Sequence, residues 1–129
     1  MGALWTDEAR LEYQRVVEVA ACEEMEGPTP AELDRIRAAR AGVEEVAERE
    51  RVTEHDIAAF VDVLAAAAGP AGRWIHHGLT SSDVLDTALA LALRDAGEIV
   101  LEGARELVVV LAERAREHTQ TLCAGRTHG

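Results

Sequence analysis

The chain has 129 residues, of which 48% are hydrophobic and only 3% aromatic, and it carries a formal net charge of −11 at pH 7. It is long enough for one modest domain with a real core, and its alanine-, valine- and leucine-rich composition favours close-packed helices over a sheet sandwich. So acidic a chain is a poor general binder of nucleic acid or anionic membrane, and any anionic ligand has to be held by local donors against the overall field.

Helix signals then follow one another along the chain. Thr6 is placed to cap a helix with Asp7 and Glu8 in its first turn, where acids complement the dipole. Leu11, Val16, Val19 and Ala20 give this helix a stripe expected to be buried, running to about Met25, and Gly27-Pro28 ends it. Thr29-Pro30-Ala31-Glu32 is a capping box with proline at the first helical position. The helix it opens turns Leu33 and Ile36 inward and is expected to end near Ala41-Gly42. A short charged helix over about 43–51 follows. Thr53 is expected to cap the next helix, with Asp56 three residues on and an apolar stripe of Ile57, Phe60, Val61 and Leu64. Gly69-Pro70 ends it, and 69–78 reads as a loop that carries Arg73, Trp74, His76 and His77. No segment alternates with a strand period.

From about Ser82 to His118 there is no proline, and glycine occurs only at Gly97 and Gly103. A continuous helix there would be about 55 Å long, against a radius of gyration of about 14 Å for a compact chain of this length. Its apolar residues nearly encircle it at 84–93 and again at 107–112. Such a helix has to be buried on several sides, so its missing partners are expected to be other subunits or further sequence. A break at Gly97 that folds the helix back into a hairpin is the alternative.

All 13 basic residues are arginine, so nothing in the chain can form a lysine Schiff base. Cys22 and Cys123 fit neither a disulfide framework nor a metal-ligand spacing and are expected to be buried small residues in a reducing compartment. No basic region followed by an apolar run marks a signal peptide, and the apolar run 88–93 is too short to span a membrane. A cytoplasmic protein is expected.

Four clusters can carry chemistry. Thr80, Ser81 and Ser82 precede a helix, so their hydroxyls and the first-turn N–H groups together suit a carboxylate or phosphate, although capping needs only one of them. His76 and His77 lie in the loop beside that helix start, where either is a structural or a working imidazole. His55-Asp56 opens a helix, and Asp56 is by itself a sufficient first-turn charge. Gly125-Arg126-Thr127-His128-Gly129 gathers a cation, a hydroxyl and an imidazole between two glycines. That suits close substrate approach and proton donation better than a frayed terminus.

These segments resemble a known family. Trp74-Ile75-His76-His77-Gly78-Leu79-Thr80-Ser81-Ser82-Asp83-Val84-Leu85-Asp86-Thr87-Ala88 is similar to the first substrate-binding segment of the adenylosuccinate lyase family. Thr53-Glu54-His55-Asp56-Ile57-Ala58-Ala59-Phe60 resembles its histidine-aspartate segment, and Gly125-Arg126-Thr127-His128-Gly129 resembles its catalytic-histidine segment. The three motifs stand in the family's order and spacing, and three in order are specific where one is weak.

The resemblance implies an all-α fold of the fumarase and aspartase superfamily. An N-terminal helical domain (1–81) would be followed by the start of a central long-helix bundle (82–129). It implies β-elimination of fumarate from adenylosuccinate and from the succinyl-aminoimidazole-carboxamide ribotide of purine synthesis, with no metal or organic cofactor. It also implies a homotetramer with shared active sites, which would supply the missing partners of the long helix.

Residue by residue, the resemblance makes His128 the general acid that protonates the leaving nitrogen, with Thr127 holding substrate beside it. Thr80 and Ser81 would bind succinyl or phosphate oxygens. His55, taken as catalytic, and Asp56 would contact the nucleotide and orient the acid. His76, rather than His77, aligns with the motif's usual histidine as a substrate contact. Glu54 stands where some relatives have arginine.

The family's N-terminal arginine-tyrosine pair has no counterpart before Leu4. The downstream loop that carries the catalytic serine base is not in this sequence, so the chain is expected to be the first third of the enzyme and inactive alone. A sibling of the superfamily, of the argininosuccinate lyase or muconate cycloisomerase type, is the nearest alternative. A non-catalytic helical assembly module is the alternative from another class. It accounts for the long apolar helix but not for histidines and hydroxyls gathered at both of its ends.

Overall fold

The computed structural model describes residues 1–125 together with Thr127 and His128. Among these residues every regular element is helical, as the composition and periodicity predict. The helices are α1 (Asp7–Glu24), α2 (Pro30–Ala38), α3 (Val43–Thr53), α4 (Asp56–Ala68) and α5 (Ser81–Glu117), with 3₁₀ turns at Gly2–Trp5 and Gly69–Trp74. They divide between two compact units, Met1–Ala96 and a second from Gly97 onward.

In the first unit, α1 starts where Thr6 predicts, its hydroxyl accepting the Ala9 N–H at 3.2 Å. The buried face is not the one expected. Leu11, Gln14, Glu18 and Cys22 are buried, whereas Val16 and Ala20 are exposed and Val19 is half-buried. Spacings of three and four residues put the buried four on one stripe, and two of them are polar. Glu18 is drawn inward by a partner 58 residues away, described below. The Gln14 Oε1 has no hydrogen-bond partner among the described residues.

The capping box of α2 forms in full, with Thr29 and Glu32 satisfying one another's backbone N–H groups. This helix stops at Ala38, earlier than expected, because the Ala39 N–H turns back to the carbonyls of Arg35 and Ile36 while its own backbone becomes extended. Thr53 does not cap α4. It is the last residue of α3, and Glu54 reverses the chain in the left-handed region at φ 52°. His55 is the cap instead, its Nδ1 accepting from the Ala58 N–H at 3.4 Å. Ile57, Phe60 and Leu64 then enter the core with Ile36 and Ile75 at 6% exposure or less.

The segment expected to be an open loop is ordered by packing. Residues Gly69–Trp74 wind into a 3₁₀ turn that lies against α4 and α2. Gly72 is required there, since a Cβ at that position would stand 2.2 Å from the Ala65 carbonyl oxygen. Within the first unit, α5 buries Val84, Ala88, Ala92 and Ala96 at four-residue intervals and leaves Leu85, Leu89 and Leu93 exposed. The Tyr13 hydroxyl donates to Asp95 at 2.8 Å, tying α1 to α5.

The second unit holds the remainder of α5. Gly97 lies inside the helix, so no turn forms there. Ile99, Val100, Leu101 and the run 107–111 are all exposed, and Cys123, expected to be buried like Cys22, is exposed as well. The helix ends with the Thr119 hydroxyl donating to the carbonyls of Ala115 and Arg116.

Candidate active site

The loop ahead of α5 is built against α1. The Cys22 thiol donates to the Trp74 carbonyl at 3.4 Å, and burial, followed by the charges of Glu18 and Glu23, pushes that thiol up to about 11. Gly27 leaves room for the Trp74 indole, which a Cβ would meet at 2.6 Å. The indole N–H donates to Glu32 at 3.2 Å, and Arg73 lies 5.0 Å from the ring centre while its guanidinium pairs with the same carboxylate at 2.8 Å. Trp74 is therefore fixed from three sides, and it sets the course of the next two residues.

His76 follows at φ 62°, a conformation uncommon outside glycine. Its backbone N–H donates to Glu18 Oε2 at 2.7 Å, and its Nδ1 lies 2.7 Å from Glu18 Oε1. The carboxylate is completely buried while the imidazole keeps 23% of its surface exposed. Sequence reasoning singled out His76 and missed Glu18, whose only signal is an acid placed on the buried side of an amphipathic helix. His77 points elsewhere: it is exposed and packs edge-on against Trp74, with ring centres 6.2 Å apart.

Thr80, Ser81 and Ser82 open α5 as expected. Asp83 reaches back to accept the Thr80 N–H at 2.8 Å, so one carboxylate already caps this helix start. The three hydroxyls take part in no hydrogen bond among the described residues, and Thr80 and Ser82 are exposed while Ser81 is half-buried. A capped N-terminus with unused hydroxyls and the positive end of a long helix remains suited to oxyanions.

His55 and Asp56 sit at the junction of α3 and α4. Asp56 accepts the Ile57 N–H at 2.7 Å. The His55 Nδ1 meets both the Ala58 N–H and the Asp56 carboxylate at 3.4 Å. The first contact needs a bare nitrogen and the second a protonated one, so the half-exposed ring can make only one of them at a time. Glu54 is exposed beside them.

Thr127 and His128 belong to the second unit, and both are exposed. Arg126 and Gly129, the other members of that motif, lie outside the described residues. Among the described residues no three histidine, cysteine or acidic side chains are grouped as metal ligands would be, and no helix is long and apolar enough to cross a membrane. A cavity of about 330 Å³ lies elsewhere in the first unit, lined by Trp5, Arg10, Tyr13, Gln14, Leu85 and Leu89 among others, and it contains none of these candidates.

A family model described as Lyase matches residues 12–129. The chain belongs to this lyase family. It is 38% identical over its whole length to an adenylosuccinate lyase of Bacillus subtilis and 40% identical to one of Staphylococcus saprophyticus. In each case the lyase chain spans 31% of the relative's length. The crystal structure of a fumarate lyase from Mesorhizobium sp. BNC1 superposes with a TM-score of 0.87 at 26% identity, over 98% of this chain and 32% of that one. The all-α architecture is accordingly that of the fumarase and aspartase superfamily.

Proposed function

We propose that the protein carrying this chain releases fumarate by β-elimination from adenylosuccinate, leaving AMP, and from the succinyl-aminoimidazole-carboxamide ribotide. The observation that carries this reading is the trio of motifs at His55-Asp56, His76 to Asp83 and Thr127-His128. They lie in one order within a chain 38–40% identical, end to end, to two adenylosuccinate lyases.

In this reading the hydroxyls of Thr80 and Ser81 and the start of α5 bind oxyanions of the substrate. His128 protonates the departing nitrogen, a step worth about 10²–10⁴-fold when the donor is positioned, and Thr127 holds the substrate beside it. His55, with Asp56 and Glu54, contacts the nucleotide and orients the acid. His76 is a substrate contact, and no metal or organic cofactor takes part. The remaining catalytic groups come from sequence beyond this third and from other subunits of a homotetramer. That assembly would also cover the exposed apolar residues of α5 and would work in the cytoplasm. The division into a helical domain (1–81) and the start of a bundle (82–129) belongs to the same proposal.

The test presents the whole protein with adenylosuccinate, argininosuccinate and a muconate lactone in parallel, with products identified by chromatography. Fumarate and AMP from the first substrate alone support the reading. Turnover of either other substrate in its place makes the protein a sibling enzyme. A folded protein that turns over none of them overturns the reading.

A further inference from the structure

The Glu18–His76 pair is not explained by packing. A carboxylate with no exposed surface is costly unless each oxygen is satisfied. Cys22, one turn further along the α1 stripe, is buried there as an apolar residue, whereas Gln14, one turn before, is buried with its Oε1 unpartnered among the described residues. Both oxygens of Glu18 are instead spent on one residue, the Oε2 on the His76 backbone N–H and the Oε1 on Nδ1, each at 2.7 Å. That residue is also held at φ 62°, a conformation that persists only where its surroundings enforce it. With the carboxylate ionised, the hydrogen of the second contact sits on Nδ1, and Nε2 becomes the ring nitrogen at which a proton or hydrogen bond is exchanged.

We propose that Glu18 is a positioning residue, fixing the backbone, ring orientation and tautomer of His76 so that Nε2 is presented to the substrate. The inference rests on His76 being a substrate contact, as argued above.

Glu18→Gln tests it in the whole protein. The amide has the same shape, and its oxygen still accepts the His76 N–H. Its nitrogen can only donate to Nδ1, so the neutral ring has to move its hydrogen to Nε2. Solid-state NMR of ¹⁵N-histidine-labelled protein reads the tautomer directly, with His76 assigned by the signal lost in His76→Gln. The expected result is Nδ1–H in the unaltered protein and Nε2–H in Glu18→Gln. The variant's kcat/KM should fall by about 10- to 100-fold, as for a lost hydrogen bond to a charged substrate group, while its melting temperature changes little.

An unaltered protein whose Nδ1 carries no hydrogen overturns the proposal, whether or not the variant folds. So does a folded variant with an inverted tautomer and kcat/KM within about threefold of the parent, far less than a lost hydrogen bond to a charged group costs. The NMR result does not depend on turnover. Absence of lyase activity in the unaltered protein counts against the proposed function and leaves the tautomer result to be judged alone.

Discussion

The carboxylate of Glu32 both closes the capping box of α2, accepting the Thr29 N–H at 2.9 Å, and holds the Trp74 indole N–H at 3.2 Å. One side chain thus sets a helix start and the course of the chain two residues before His76. The backbone and hydroxyl of Thr29, then Trp74 and the charge of Arg73, hold this carboxyl down at about 2, against an ordinary value of 4.5.

Stability should therefore depend on pH through Glu32. A depressed carboxyl contributes its full share above 4.5 and loses it as pH falls toward its folded value. Urea midpoints of the parent and Glu32→Gln should differ most above pH 4.5 and converge toward pH 2. A difference that stays constant across that window would assign the contribution to shape rather than charge.

Gly72→Ala places a Cβ 2.2 Å from the Ala65 carbonyl oxygen, a backbone atom that no side-chain rotation can move aside. Overpacking of this kind costs about 1–3 kcal/mol, and the strain falls on the turn that leads to Trp74 and His76. Denaturant titration should show the loss. An unchanged midpoint would mean that the turn shifts freely away from α4.

Much of this fold was legible because its signals are local. Thr29, Pro30 and Glu32 announce α2 within four residues, and Thr6 announces α1. The errors came where a distant partner decides the outcome. Periodicity alone assigned Val16 and Ala20 to the buried side of α1, but the face is chosen by Glu18, whose partner is 58 residues away. Thr53 lost the cap of α4 to His55 because Glu54 reverses the chain first, a left-handed residue that sequence does not mark. The motif histidines were visible as residue types. The support behind His76 was not, since an acid on a helix is ordinarily read as solvent-facing.

At the start of α5, Thr80 and Ser81 should act through binding. A hydrogen bond to a charged group is worth about 1.5–3 kcal/mol, so Ser81→Ala should raise KM about 10- to 100-fold. A matching fall in kcat would show that the hydroxyl acts only in the transition state. Asp83→Ala removes the acceptor of the Thr80 N–H and should cost about 1 kcal/mol of stability, read by thermal melting.

We propose above that His128 donates a proton to the departing nitrogen. The most direct measurement follows the fall in absorbance as the whole protein converts adenylosuccinate to AMP and fumarate, beside His128→Ala at equal concentration. Saturable turnover by the parent and a kcat lower by about 10²-fold or more in the variant are expected. A folded parent that consumes no adenylosuccinate, or a variant as fast as the parent, would contradict the proposal.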